Sequence, residues 1–125
     1  MMDKDWTVKF YSSADGLCPI NEFLETLSEK DRKKVDASIT YLDLQGANLR
    51  RPRSDYLTNG IHELRIKLSR GETRTLYFFC FETYIVLTHA FYKRTDAVPV
   101  SEINKALEYK NDILNRYNKD NIQEL

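Results

Sequence analysis

Along this chain the spacing of apolar and polar positions changes period several times, and each change marks an element. Trp6, Val8 and Phe10 alternate with Thr7, Lys9 and Tyr11, the period of two of a strand with one buried face, so a strand is predicted over about residues 5–12. Ser12 to Pro19 contains Asp15-Gly16 and a proline, and beyond it Ile20, Phe23, Leu24 and Leu27 recur at helical spacing, which predicts a short helix. Ser28 with Asp31 three residues on resembles a capping box with the shorter acid in place of Glu. Val35, Ile39 and Leu42 then follow on one stripe before Gly46, predicting a second helix over about 29–45. The two make a helical hairpin whose apolar side needs a sheet to cover it.

Residues 48–59 read as a connector, because Pro52 is unsuited to a helix interior and Asn59-Gly60 is a turn signal. From Ile61 to Leu68, His62, Leu64, Ile66 and Leu68 alternate with Glu63, Arg65 and Lys67, so Arg65 and Lys67 project from one face. Arg70-Gly71 turns the chain into residues 73–81 and Glu82-Thr83 turns it into 84–91, a three-stranded antiparallel meander dense in aromatic and β-branched residues. Pro99 suits the first turn of a closing helix, with Ile103, Leu107, Leu114 and Tyr117 spaced to pack it on the body. The polar tail 118–125 is expected to fray. The class is α+β in a single domain over 1–125.

Composition narrows the chemistry. With 125 residues and 42% hydrophobic content, there is material for one core and one domain. Nineteen basic and nineteen acidic residues give a net charge of zero, so any binding of nucleic acid must be local. Residues 50–74 are cationic: Arg50, Arg51, Arg53, Arg65, Lys67, Arg70 and Arg74 face only Asp55, Glu63 and Glu72. Cationic side chains in phase with a core-forming sheet suggest a face that holds phosphate; the plainer reading is a solvated surface balanced elsewhere. Cys18 and Cys80 belong to no CxxC pair, so neither a zinc site nor a disulfide framework is indicated. A reducing cytoplasm fits that usage. Met1 to Asp5 hold no apolar signal core and no apolar run approaches the roughly 18 residues of a membrane span, which predicts a soluble protein kept inside the cell.

The ordered set Gly60-Ile-His-Glu-Leu-Arg65, Arg74-Thr-Leu-Tyr-Phe78, Ile85-Val-Leu-Thr-His-Ala-Phe91, Lys93-Arg94-Thr95 and Pro99 resembles the RelE/HigB superfamily of bacterial toxins, in its phage-derived branch. The resemblance implies a RelE-like fold: an N-terminal strand and two-helix hairpin packed on the antiparallel meander, closed by a C-terminal helix. It also implies the toxin half of a type II toxin-antitoxin pair, commonly an endoribonuclease that cleaves mRNA, often on the ribosome, with no cofactor or metal. The partners it implies are mRNA and an antitoxin, usually a small helix-turn-helix repressor whose acidic or apolar segment covers the basic face in a hetero-oligomer.

RNA cleavage without metal must take a proton from the ribose 2′-OH, stabilise a pentavalent phosphorane with cations and protonate the leaving 5′-oxygen. Arg65, Lys67 and Arg74 match positions where RelE-like nucleases carry basic residues on adjacent strands, and Arg94 matches a basic residue after the last strand. Arg74 and Arg94 are therefore expected as phosphate and transition-state clamps. Lys67 is expected to do proton work or stabilise charge. Lys93, Arg50, Arg51 and Arg53 are expected to bind RNA. Histidine His89, in an apolar strand, reads first as a hydrogen-bonded core residue and second as a general acid or base; His62, near a turn, is the weaker candidate. Where RelE-type enzymes often place a catalytic tyrosine, this chain has Ala97-Val98-Pro99-Val100, leaving Tyr77 or Tyr92 as substitutes. That departure keeps two other readings open, a ParE-like inhibitor of DNA gyrase and a phage accessory protein that binds a partner.

Overall fold

The computed structural model describes residues 5–125; Met1–Lys4, and with them most of the N-terminal stretch judged to lack a signal core, lie outside the described residues. The elements are β1 (Thr7–Phe10), α1 (Pro19–Glu25), α2 (Glu29–Gln45), β2 (Ser54–Thr58), β3 (Ile61–Leu68), β4 (Gly71–Cys80), β5 (Tyr84–Tyr92) and α3 (Val100–Arg116). One sheet takes the order β1-β5-β4-β3-β2. Strand β1 is parallel to β5, and the remaining pairs are antiparallel. The meander is as expected from the alternation, but the sheet is wider than three strands, and β1 joins it as an edge.

Each face of the sheet buries its own core. On one face α1 and α2 pack Ile20, Leu27, Val35 and Leu42 onto Leu64, Ile66, Leu68, Tyr77, Ile85 and Leu87. On the other, α3 packs Ala106 and Ile113 onto Ile61, Leu76, Phe78 and Val86. The stripe of α3 differs from the expected one: Leu114 is exposed, and Ala106 and Ile113 are the fully buried positions. Ile103, Leu107 and Tyr117 flank that stripe, half-buried.

Three further expectations are corrected. The connector 48–59 contains β2, which pairs with β3 through the Asn59-Gly60 turn; both turn residues have positive φ (50° and 83°), as a two-residue hairpin loop of this hand requires. Its polar sequence hid it, since Ser54 is buried through a 2.5 Å hydrogen bond with the Tyr77 hydroxyl rather than by an apolar side chain. Nor does the tail fray: Ile122 sits in a short 3₁₀ turn with no exposed surface, inside the α3-side core. The capping box is half made. Ser28 Oγ accepts the Asp31 N–H at 3.1 Å, but the Asp31 carboxylate accepts from Ser69, N–H at 3.1 Å and O–H at 2.8 Å, tying the start of α2 to the β3–β4 turn.

The two ends of the chain are fastened together. The Tyr11 hydroxyl donates to Asp112 at 2.6 Å, and Arg116 binds both Asp112 oxygens and the Ser12 carbonyl. Burial, then the Asp112 carboxylate, pushes the Tyr11 phenol up to about 12. Cys18 and Cys80 are both free thiols, and burial pushes Cys80 up to about 11. Among the described residues no helix is long and apolar enough to cross a membrane.

Candidate active site

A bulge decides which side chains meet. Simple alternation along β5 would put Ile85, Leu87, His89 and Phe91 on one face. The register runs Tyr77↔Leu87 and then Leu76↔His89, so Thr88 is an extra residue without a rung of its own. Ile85 and Leu87 therefore join the α1/α2 core while Phe91 joins the α3 side, and His89 turns with it. An inserted residue re-aims everything beyond it on a strand. Thr88 is fully buried and holds the bulge closed, its hydroxyl donating to the Leu76 carbonyl at 3.1 Å and lying 3.0 Å from His89 Nδ1.

Three consecutive rungs of the α3-side face now carry Glu63–Leu76–His89, Arg65–Arg74–Phe91 and Lys67–Glu72, with Lys93 N–H bonded to the Glu72 carbonyl at the end of the last. Four of the residues expected to act on RNA, Arg65, Lys67, Arg74 and His89, are thereby neighbours, with Lys93 at the margin. Their charge is not as expected. Arg65 and Arg74 stand directly opposite one another, as do Asp55 and Glu63, an unfavourable arrangement of like charges. Contacts along the chain and diagonally across the strands resolve it: Arg51 to Asp55 at 2.7 Å, Asp55 to Arg65 at 3.4 Å, Arg65 to Glu63 at 2.6 Å, Glu63 to Arg74 at 3.5 Å and Arg74 to Glu72 at 3.7 Å. This ladder of alternating sign consumes all three acids of the cationic segment. Glu63 and Arg74 are its buried centre, only 4% and 6% exposed. Arg74 Nη1 also donates to its neighbour's carbonyl, Thr73 O, at 2.9 Å.

The cations outside the ladder are Lys67, Arg70, Lys93 and Arg94 at this end of the sheet and Arg50 and Arg53 near β2. Arg94 is exposed and lines a hollow of about 360 Å³ between the end of β5 and the start of α3, with Phe91, Pro99, Ser101 and Glu102. Arg53 lies over the Tyr41 ring at 4.4 Å and Arg70 over Tyr92 at 5.4 Å. Arg50 and Arg53 belong to a separate region of the surface, toward the end of α2, which Arg51 joins to the ladder through Asp55.

His89 is buried, with Phe91 at 5.6 Å and Tyr109 at 5.9 Å between ring centroids. Because the Thr88 hydroxyl hydrogen goes to Leu76 O, Nδ1 carries the hydrogen of the neutral ring and Nε2 presents its lone pair. Nε2 is 3.3 Å from Glu102 Oε1 but makes no hydrogen bond, and Lys105 Nζ approaches the same oxygen at 3.5 Å. Burial pushes the His89 pKa down against the opposing pull of Glu102. The pair is set to take up one proton between its two facing atoms.

That depression links to stability. His62 is likewise lowered by burial, so both imidazoles are protonated more readily in the unfolded chain. Their contribution is complete above the ordinary histidine value and is lost as pH falls through it. The urea midpoint is expected to drop between about pH 7.5 and about pH 5.5, and to drop less in His89→Gln; an identical slope in that variant would remove His89 from the account.

Neither substitute tyrosine reaches this face. Tyr77 is buried on the α1/α2 side, stacked on His62 and bonded to Ser54, and Tyr92 packs on Phe23 there. Tyr109, from α3, is the tyrosine beside His89. Glu63, Glu102 and Tyr109 are the site members that sequence reasoning missed. Among the described residues no three His, Cys, Asp or Glu side chains converge as a metal site.

The family described as Phage derived protein Gp49-like matches residues 22–111, well over half the chain and the part that carries every residue of this face. No curated protein matches the chain.

Proposed function

The chain belongs to the phage-derived Gp49-like family, a family of RelE/HigB-like toxins, and from that premise we propose that it is the toxin of a type II toxin-antitoxin pair, acting as a metal-independent endoribonuclease on mRNA. The observation that carries the reading is the Thr88 bulge, which turns His89 onto the face of Arg65, Lys67 and Arg74. In this mechanism the RNA lies over the exposed cations Lys67 and Arg94 and the half-buried Lys93. Glu102, at the wall of the hollow, meets the 2′-hydroxyl, and the proton is held between Glu102 and the Nε2 lone pair of His89. The 2′-oxygen attacks phosphorus, and Arg94 and Lys93 stabilise the phosphorane. Lys67 protonates the 5′-oxygen as the P–O bond breaks, leaving a 2′,3′-cyclic phosphate and a 5′-hydroxyl. Arg65 and Arg74 act from beneath as fixed charges shared with Glu63. The cognate antitoxin silences the toxin by covering the exposed cations.

Brief induction followed by mapping of mRNA ends, with and without translation, tests the reading when run beside a gyrase supercoiling assay. Cleaved transcripts are expected; intact transcripts with blocked supercoiling would replace the nuclease by a gyrase inhibitor, and no effect on either would leave a binding protein. Arg94→Ala is the informative variant, because Arg94 is exposed and outside the ladder. Cleavage should fall by about 10²- to 10³-fold, with the urea midpoint unchanged. Arg74→Ala should also relieve growth arrest, but it strips Glu63 of a buried partner and so reads stability as well.

A further inference from the structure

On the opposite face of the sheet from Arg74 and His89, where α2 ends, lies a second hollow of about 380 Å³. Its floor is a row of rings across three strands. His62 faces Tyr56 on β2 and Tyr77 on β4 in register, stacks on Tyr77 at 5.2 Å and meets Tyr56 and Phe79 edge-on at 5.1 Å each. One wall is the backbone turn at Gly46, so close to the Trp6 indole that a Cβ there would lie 2.0 Å from its Nε1. At the rim stand Arg50 and Arg51. Arg51 is committed to Asp55, whereas Arg50 is exposed and makes no ion pair among the described residues.

We propose that this hollow binds a nucleotide, with the base against the His62 floor and the phosphate on Arg50. The floor offers flat apolar surface together with a polar edge able to read a base. His62 is half-buried and burial lowers its pKa; the neutral ring has a donor on one nitrogen and an acceptor on the other, and the bonded Ser54–Tyr77 hydroxyl pair lies at the deep edge of the row. An aromatic floor with an arginine at its margin is the pairing that single nucleotides select, stacking for the base and charge for the phosphate. The volume lies in the range of small-ligand sites. A neighbouring hollow of about 300 Å³ shares Leu49, Arg50 and Arg51 and adds Tyr41 beneath Arg53, so the next nucleotide of a strand finds a ring and a cation one step on. The occupant is either one nucleotide of an RNA strand or a free mononucleotide, and binding requires no cleavage.

Trp6, the single tryptophan, abuts the wall and serves as the reporter. The full-length protein is titrated by fluorescence with each ribonucleoside 5′-monophosphate, with ribose 5-phosphate, and with a 2′-O-methyl tetranucleotide that cannot be cut. Saturable binding of at least one mononucleotide or of the tetranucleotide is expected, with none of ribose 5-phosphate. His62→Ala and Arg50→Ala should each weaken it about tenfold, while Lys33→Ala, an exposed side chain of α2 outside both faces, leaves it unchanged. A tetranucleotide bound tenfold or more tightly than the mononucleotides, through a gain that Arg50→Ala removes, assigns the pocket to an RNA strand; without such a gain the pocket is assigned to a free nucleotide. Ribose 5-phosphate binding as tightly as the nucleotides, no saturation with any probe, or unchanged affinity in Arg50→Ala would each overturn the proposal. The Arg50 variant alters only an exposed side chain, so it remains readable even if His62→Ala fails to fold. Cleavage without nucleotide binding would remove the pocket and keep the nuclease, and binding without cleavage would do the reverse.

Discussion

Glu63→Ala is expected to cost about 3–5 kcal/mol of folding stability, because it takes a strongly buried anion from between two guanidinium groups. Glu63 bonds Arg65 at 2.6 Å and faces Arg74 at 3.5 Å. Arg65 keeps Asp55 as a second partner, but Arg74 keeps, beside the Thr73 carbonyl, Glu72 as its one acidic partner among the described residues, half exposed at 3.7 Å. The like-charged rung Arg65↔Arg74 then stands uncompensated at its buried end. Urea unfolding would register the loss as a lower midpoint at constant slope. Replacing both members of the buried pair, Glu63→Leu with Arg74→Met, should recover at least half of it, since an apolar pair of similar volume carries no unmatched charge. A loss below about 1 kcal/mol for Glu63→Ala would mean that the ladder is solvated in the manner of surface ion pairs.

Ile122→Ala is expected to cost about 2–5 kcal/mol, although it lies three residues from the C-terminus in a segment that reads as polar tail. The side chain has no exposed surface and packs with Tyr11, Phe78 and Ile113 in one cluster. Lys9 Nζ holds the adjoining turn by donating to the Gln123 carbonyl at 2.8 Å. Leu114→Ala is the matching control. Leu114 is 42% exposed, so its removal should change stability by no more than about 0.5 kcal/mol. Equal effects in the two variants would contradict the observed packing of the tail.

These two positions show where sequence reading succeeds and where it stops. Helix α2 and the strands β3 to β5 were legible because Val35, Ile39 and Leu42, and then His62 to Leu68, repeat an apolar signal at the period of the element. Ile122 is one anchor among polar residues and has no period to detect. Strand β2 is an edge whose buried member is Ser54, so its burial is purchased by a hydrogen bond that hydropathy does not record. The candidate site divides the same way. Arg65 and Lys67 could be placed on one face from the alternation alone, but the meeting of Arg74 with His89 depends on the Thr88 bulge, and a one-residue slip inverts every side chain beyond it. Segment charge also misled: seven cations against three anions describes composition, whereas register across β2, β3 and β4 decides which of them remain available to a ligand.

The pairing of β1 with β5 has a consequence for how the chain comes together. Strands β2 to β5 join sequence neighbours through tight turns, so each hairpin closes a short loop. The seam Thr7↔Tyr84 to Phe10↔Leu87 is parallel and joins segments far apart in sequence, and the entropy of that closure is recovered only once both helices of the hairpin and the meander lie between its ends. The most local part of the topology thus carries the candidate site, and the least local part supplies the clasp.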